Sequence, residues 1–158
     1  MKFVVDAMLG RLAKWLRILG YDTSYLRAAD SRPLLRVARE EGRVILTRNH
    51  HLPKETQALR ILLIESDHWR EQLAEVLKAF RLRPGRNRFR RCLLCNQRLI
   101  PLKKGLVEGK VPDFVFVHGE SFFRCPCCGR IFWPGSHLSS MGEVFAGLPS
   151  RPPRERDW

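Results

Sequence analysis

Two sets of side chains in this sequence are of types that can do chemistry. The first is Cys92-Leu93-Leu94-Cys95 with Cys125-Pro126-Cys127-Cys128, two C-x2-C pairs separated by 29 residues. Four thiolates in that pattern suit a closed tetrahedral zinc site with no open position, so the metal's work there is structural. Asn96 and Gly129 follow the two pairs and tolerate the left-handed turn that such a knuckle makes. Disulfides or unrelated buried thiols are the alternative, and a cytoplasmic setting disfavours disulfides. Cys127 falls outside the pattern and is expected to be a free thiol.

The second set is acidic. Asp6 closes the strand-like run Lys2-Phe3-Val4-Val5, and an amphipathic run from Ala7 to Leu19 follows at once. Asp30 follows the second strand-like run, and Arg48-Asn49 ends the third. If the strands are parallel, all three positions fall at the carboxyl edge of one sheet, where open α/β sheets bind ligands. Two or three such oxygens around Mg²⁺ or Mn²⁺ can activate a water and steady the charge on a phosphodiester. Each acid alone is more often a cap or surface group, and only their joint placement brings the site reading level with that one. Asp22 begins its strand and belongs to the opposite edge. Glu65 and Asp67 follow the fourth strand, Asp67 more simply as a helix N-cap. His50 and His51 are adjacent in a loop, where solvation competes with a ligand role.

The elements that must position these groups are legible from periodicity. Strands are expected at 2–6, 21–26, 43–47 and 61–64. Leu9, Leu12, Leu16 and Leu19 make one buried helical face. Arg11, Lys14 and Arg17 form a separate basic stripe, either solvated or in contact with phosphates. A second helix is capped by Asp30 or Ser31, carries Pro33 in its first turn and ends at Gly42. A short helical piece is expected after Pro53, and a last helix from Asp67 through Phe80. Alternating strands and helices with short connections predict a parallel sheet with helices on both faces.

The second half is shorter and strand-like, with strands expected at 111–117 and 121–124 between the cysteine pairs. The division is therefore 1–80 for the α/β domain, 81–91 for a linker, 92–147 for a zinc-stapled β domain, and 148–158 for a Pro/Arg-rich tail expected to be disordered.

Charge bears on partners. The net formal charge is +13, and residues 81–158 hold 15 Lys/Arg against 6 Asp/Glu. A field of this size favours polyanions, with nucleic acid ahead of lipid because no apolar membrane-binding face accompanies it. A basic protein without such a partner is the plainer alternative. Arg81, Arg83, Arg86, Arg88, Arg90 and Arg91 crowd the linker, with Pro84 and Gly85 between them. That composition reads as a phosphate-binding arm. Trp133 and His137 could stack on or bond unpaired bases, or an aromatic cluster there could cover the small zinc-module core. No apolar run approaches the ~20 residues that span a bilayer, and the N-terminus lacks a signal-peptide layout, so a cytoplasmic location is expected.

Val5-Asp6-Ala7-Met8-Leu9-Gly10-Arg11-Leu12-Ala13-Lys14-Trp15-Leu16-Arg17, continued by Leu19-Gly20-Tyr21-Asp22-Thr23, resembles the opening signature of the Mut-seven C-terminal RNase family. Asp30, Gly42-Arg43-Val44-Ile45-Leu46-Thr47-Arg48, Phe123-Arg124-Cys125-Pro126, Cys128-Gly129-Arg130 and Trp133-Pro134-Gly135-Ser136-His137 extend the resemblance to about residue 145. The resemblance implies a PIN-like α/β nuclease domain followed by a zinc ribbon, metal-dependent RNA cleavage, and acids at Asp6 and Asp30. It also implies an aspartate after Thr47-Arg48, where this chain has Asn49. An amide can offer a carbonyl oxygen to Mg²⁺ but brings no charge.

Three functions follow as expectations. The first is a metal-dependent ribonuclease with Asp6, Asp30 and Asn49 at its site. RNA would be held by Arg11, Lys14, Arg48, the arginine arm, Trp133 and His137. The second is an RNA-binding protein, with ribosome or tRNA as candidate partners, whose turnover is weakened by Asn49. The third makes the ribbon a DNA-binding or protein-docking module.

Overall fold

The computed structural model describes residues 1–27, 30–51, 58–83 and 88–134. The helical piece after Pro53, Pro84 to Arg86, the stretch Gly135 to His137, and the tail lie outside the described residues.

Strand β1 (Lys2–Val5) leads through a 3-10 turn at Ala7–Leu9 into α1 (Gly10–Ile18). Strand β2 (Asp22–Tyr25), α2 (Arg32–Glu41), β3 (Val44–Thr47), β4 (Ile61–Leu63) and α3 (Trp69–Ala79) follow. The sheet order is β2-β1-β3-β4, and every pairing is parallel. Phe3 stands opposite Thr23 on one side and Val44 on the other. Both faces of the sheet are covered, so β1, β3 and β4 read as apolar runs rather than alternations, while the edge strand β2 (Asp22-Thr23-Ser24-Tyr25) does not. Phe3, Val5 and Leu46 pack with Leu12, Leu16, Leu73 and Leu77 of α1 and α3. Val4 and Ile45 pack with Leu34, Leu35 and Ala38 of α2 on the other face. Each fully buried leucine contributes about 1.5–3 kcal/mol before entropy is counted.

Local signals set the ends. Asp6 accepts a hydrogen bond from the Met8 N–H, which starts the tight turn ahead of α1. Gly42 takes φ +61°, the left-handed cap that stops α2. Asp67 does not cap α3, as the sequence had predicted: His68 stands at the N-cap, and the Asp67 carboxylate pairs with Arg48 instead.

The second part is a three-stranded antiparallel sheet, ordered β5 (Ile100–Leu102), β6 (Phe122–Arg124), β7 (Ile131–Phe132). Residues 111–117, expected as a strand, instead form most of helix α4 (Asp113–His118). Pro112 at the N-cap and Asp113 in the first turn are start signals that outrank the β-propensity of Val and Phe here. Val115 and Phe116 face the small core around Val107, Val111 and Phe122, while Phe114 and Val117 are exposed; a period of two cannot produce that pattern. The expected α/β sheet followed by a small β module is the observed architecture.

Candidate nuclease cleft and cysteine cluster

Order 2-1-3-4 means that the chain leaves β1 toward β2 on one side and then crosses to β3 on the other. The carboxyl ends of β1 and β3 therefore diverge into a crevice at the topological switch point. A cleft of about 420 Å³ lies there, lined by residues that include Asp6, Asp30, Thr47, Arg48, Asn49, His50 and His51. The sheet edge thus brings together Asp6, Asp30 and Asn49, the three candidates drawn from separate strand ends.

Asp6 is held from several sides. Its Oδ1 accepts from Met8 N at 2.9 Å, and its Oδ2 accepts from the Thr47 hydroxyl and from Arg48 N at 3.3 Å. A carboxylate has about four lone-pair sites, so one direction remains for a cation. Thr47 is fully buried and also accepts from Asn49 N at 3.0 Å. It ties the first and third strand ends together, and sequence reading missed it because a threonine ending a strand looks like ordinary β-propensity. The Asn49 Oδ1 accepts from His51 N at 2.9 Å, which folds the loop back on itself and leaves one lone pair. Asp30 is half exposed; its carboxylate accepts from Arg32 N at 3.0 Å and pairs with the Arg32 guanidinium. The Arg32 backbone hydrogen bond, then its side chain, hold the Asp30 carboxyl below the usual range. Two carboxylates and an amide, each with a free lone pair, are of the donor type taken by a cation that binds a few protein oxygens and keeps several waters, as Mg²⁺ does.

The cysteines form a far tighter group. The Sγ atoms of Cys92, Cys95, Cys125 and Cys128 all lie within 4.8 Å of one another, and Cys92 and Cys128 are 3.8 Å apart. A tetrahedron with metal–sulfur bonds of about 2.3 Å has edges of about 3.8 Å, so the set fits zinc. Backbone N–H groups of Cys95 and Cys128 point at Cys92 and Cys125 Sγ, at 3.4 and 3.5 Å. Asn96 and Gly129 take φ of +64° and +72°, which lets each knuckle close. Burial pushes the Cys92 thiol pKa up, hydrogen bonding to Cys128 pushes Cys95 up, and the Arg130 N–H holds Cys128 down at about 7. Among the described residues this is also the sole set of three or more His, Cys, Asp or Glu whose ligand atoms all lie within 4.8 Å of one another. Cys127 is exposed and carries no disulfide.

A model of the Mut7-C RNAse domain matches residues 1–145. The chain belongs to the Mut7-C RNAse domain family. A human relative, the exonuclease mut-7 homolog, is 40% identical over 101 residues, 60% of this chain and 12% of that protein. The chain thus matches only about 12% of the length of that curated relative. No solved structure matches it.

In this Mut7-C domain the ribbon docks on the amino edge of the sheet, opposite the cleft. Asp22, at the start of β2, accepts from Arg43 at 2.6 Å and from the Asn96 side chain at 2.8 Å, and Arg91 lies 3.3 Å away. Burial raises the Asp22 pKa, but the Arg43 and Asn96 hydrogen bonds outweigh it and hold the carboxyl below its ordinary value. The Asn96 Oδ1 in turn accepts from Thr23 N at 3.0 Å. Arg17 does not share the exposed stripe with Arg11 and Lys14. It is buried, and its guanidinium donates to the carbonyls of Thr23, Leu93 and Leu94 at 2.9, 2.6 and 3.1 Å.

The other basic candidates are scattered. Arg11 and Lys14 are exposed on α1, and Arg48 lines the cleft. Arg81, Arg88 and Arg90 are exposed; Arg83 is half-buried, its backbone bonded to the Tyr21 hydroxyl. Arg91 is engaged at the junction, donating to Gly20 O and Asn96 O at 3.2 and 2.8 Å. Trp133 is half-buried against the ribbon core. No helix among the described residues is long and apolar enough to cross a membrane.

Proposed function

We propose that this domain is a divalent-metal-dependent ribonuclease of PIN-like type, acting in the cytoplasm. The observation that carries it is the meeting of Asp6, Asp30 and Asn49 in one cleft at the β1/β3 switch point. Asp6, Asp30 and the Asn49 carbonyl would hold Mg²⁺ or Mn²⁺. When bound, that cation lowers the pKa of an attacking water and draws charge from the phosphoryl oxygens. Thr47 and the Arg48 N–H hold the Asp6 carboxylate in one orientation, so it reorganises little as charge develops. The Arg48 side chain, at the cleft wall, would meet a phosphate. The four cysteines would hold zinc as a structural staple, and the exposed arginines of 81–90 would contact RNA, the ribosome and tRNA being candidate partners.

A second reading has one specific observation behind it. The Asn49 Oδ1 is bonded to His51 N, and among the described residues lining the cleft no third carboxylate replaces the missing charge. That favours an RNA- or ribosome-binding protein with weakened turnover.

One experiment separates the two. Purified protein is incubated with single-stranded and structured RNA in Mn²⁺, with and without a chelator. The nuclease reading expects metal-dependent cleavage that Asp6→Asn abolishes, and an Asn49→Asp variant with tighter Mn²⁺ dependence and higher activity. Salt-sensitive binding with no product from either wild type or Asn49→Asp sinks it in favour of the binding protein.

A further inference from the structure

Beside the cleft, on the α1/α3 face of the sheet, lies a second group of cations that the site above does not use. Trp69 opens α3 and stacks flat on Trp15 of α1, with ring centroids 4.6 Å apart and planes 8° from parallel. The guanidinium of Arg70 lies 4.9 Å from the Trp69 ring centre, and that of Arg11 lies 5.4 Å from it. Both arginines are exposed, and among the described residues neither forms an ion pair. Arg48 joins this group to the cleft: it lines the cleft wall and pairs with Asp67, two residues before Trp69.

The neighbouring acids are otherwise occupied. Glu71 accepts from the Ser66 hydroxyl at 2.5 Å, and Glu75 accepts from the backbone of Glu65 and Ser66 at 3.0 Å each. The Asp67 side chain is 81% exposed and that of Arg48 26%, so the pair is screened from the Asp67 side. Packing of α1 on α3 explains the two indoles. It does not explain two exposed guanidiniums laid over one indole with no carboxylate of their own. An arginine on an indole face keeps its N–H edges outward in a fixed orientation, which suits bidentate capture of phosphate.

We infer that Arg11 and Arg70, pinned on Trp69 and continued by Arg48, form a phosphodiester-binding subsite that holds the RNA strand as it leaves the cleft toward the α1/α3 face. The inference rests on the nuclease reading for the identity of the strand and adds where that strand runs. Position supports it. The starts of α1 and α3 both lie at the carboxyl edge of the sheet with Asp6, whereas the junction arginines Arg17 and Arg91 lie at the opposite edge.

The test measures binding of a short fluorescein-labelled uridine oligomer by anisotropy across a salt series, using the 158-residue chain loaded with zinc in buffer without Mg²⁺ or Mn²⁺. Removing both guanidiniums, Arg11→Ala with Arg70→Ala, is expected to weaken binding about tenfold and to flatten the log–log salt slope by about 1.4, at ~0.7 per contact on a single strand. The control removes the same charge from the exposed outer side of α2, Arg36→Ala with Arg39→Ala, and is expected to change both quantities by much less. Trp69→Leu leaves the charges but frees them, and should weaken binding with the slope kept. Arg70→Lys should act the same way, which guards against a folding defect in the tryptophan variant. An unchanged slope in the Arg11/Arg70 variant, or an equal loss in the Arg36/Arg39 control, overturns the subsite. Cleavage is read separately with Mn²⁺. Binding that depends on Arg11 and Arg70 without cleavage defeats the nuclease reading alone, and cleavage with an unchanged slope defeats the subsite alone.

Discussion

At Thr47 a single hydroxyl serves both strand ends of the cleft, donating to Asp6 and accepting from Asn49 N. Replacing it by valine keeps the buried shape but leaves the carboxylate short of a donor and the amide short of an acceptor. Groups that orient a metal ligand typically change affinity or activity by about 10–100-fold. Thr47→Val is therefore expected to raise the Mn²⁺ concentration needed for half-maximal cleavage by about tenfold. Isothermal titration of Mn²⁺ should show the same weakening without any substrate. Asp6 was legible as a candidate because an acid ending an apolar strand is conspicuous, and Asp30 because it follows the second strand at the same edge. Thr47 was not, because its work depends on which strand lies beside β1, and periodicity does not carry strand order.

Elements obey local signals where those are strong and yield to packing where they are weak. The Pro112-Asp113 start turned an apolar run that reads as strand into α4, and the end of that helix is set by close approach. A Cβ on Gly119 would stand 2.5 Å from the Val115 carbonyl oxygen and 2.6 Å from the Phe122 ring. The oxygen belongs to the backbone, so the helix end or β6 must move to make room. Gly119→Ala is expected to destabilise the ribbon by about 1–3 kcal/mol, the usual range for overpacking. The measurement is the midpoint of zinc release under increasing denaturant, with Gly105→Ala, which meets nothing within 4 Å, as the control. In the larger sheet the reverse holds: β1, β3 and β4 and the helices α2 and α3 follow the sequence pattern to within a residue or two because both sheet faces are buried, while α1 starts three residues late behind the 3-10 turn at Ala7–Leu9.

Across the whole molecule, the cysteine cluster and the cleft lie at opposite edges of the sheet, separated by strands of four residues, about 13 Å of chain. A metal held by the cysteines would therefore act on the cleft only through the fold. The route is short and specific: Asn96, in the left-handed turn of the first knuckle, accepts from Thr23 N and donates to Asp22 at the amino edge. Chelating the cysteine-bound metal should release that turn and expose the Thr23 amide, read as faster hydrogen exchange at Thr23. Asn96→Ala should expose the same amide with the metal still bound. Protection at Thr23 that survives both changes contradicts the link.

Composition and spacing alone determined that this chain has a zinc-type cysteine set, a parallel α/β sheet and acids at strand ends. Thiol spacing, strand apolarity and chain punctuation are local properties written residue by residue. Only the tertiary structure decided what those groups face. It put Asp6, Asp30 and Asn49 in one cleft because β3 lies beside β1. It buried Arg17 in the junction and drew Asp22, set aside as a strand-start acid, into the contact with the ribbon. It also left Arg11 exposed over Trp69, six residues along the same helix from Arg17. An arginine's identity is the same in every setting, and the neighbours that fix its role come from segments tens of residues away.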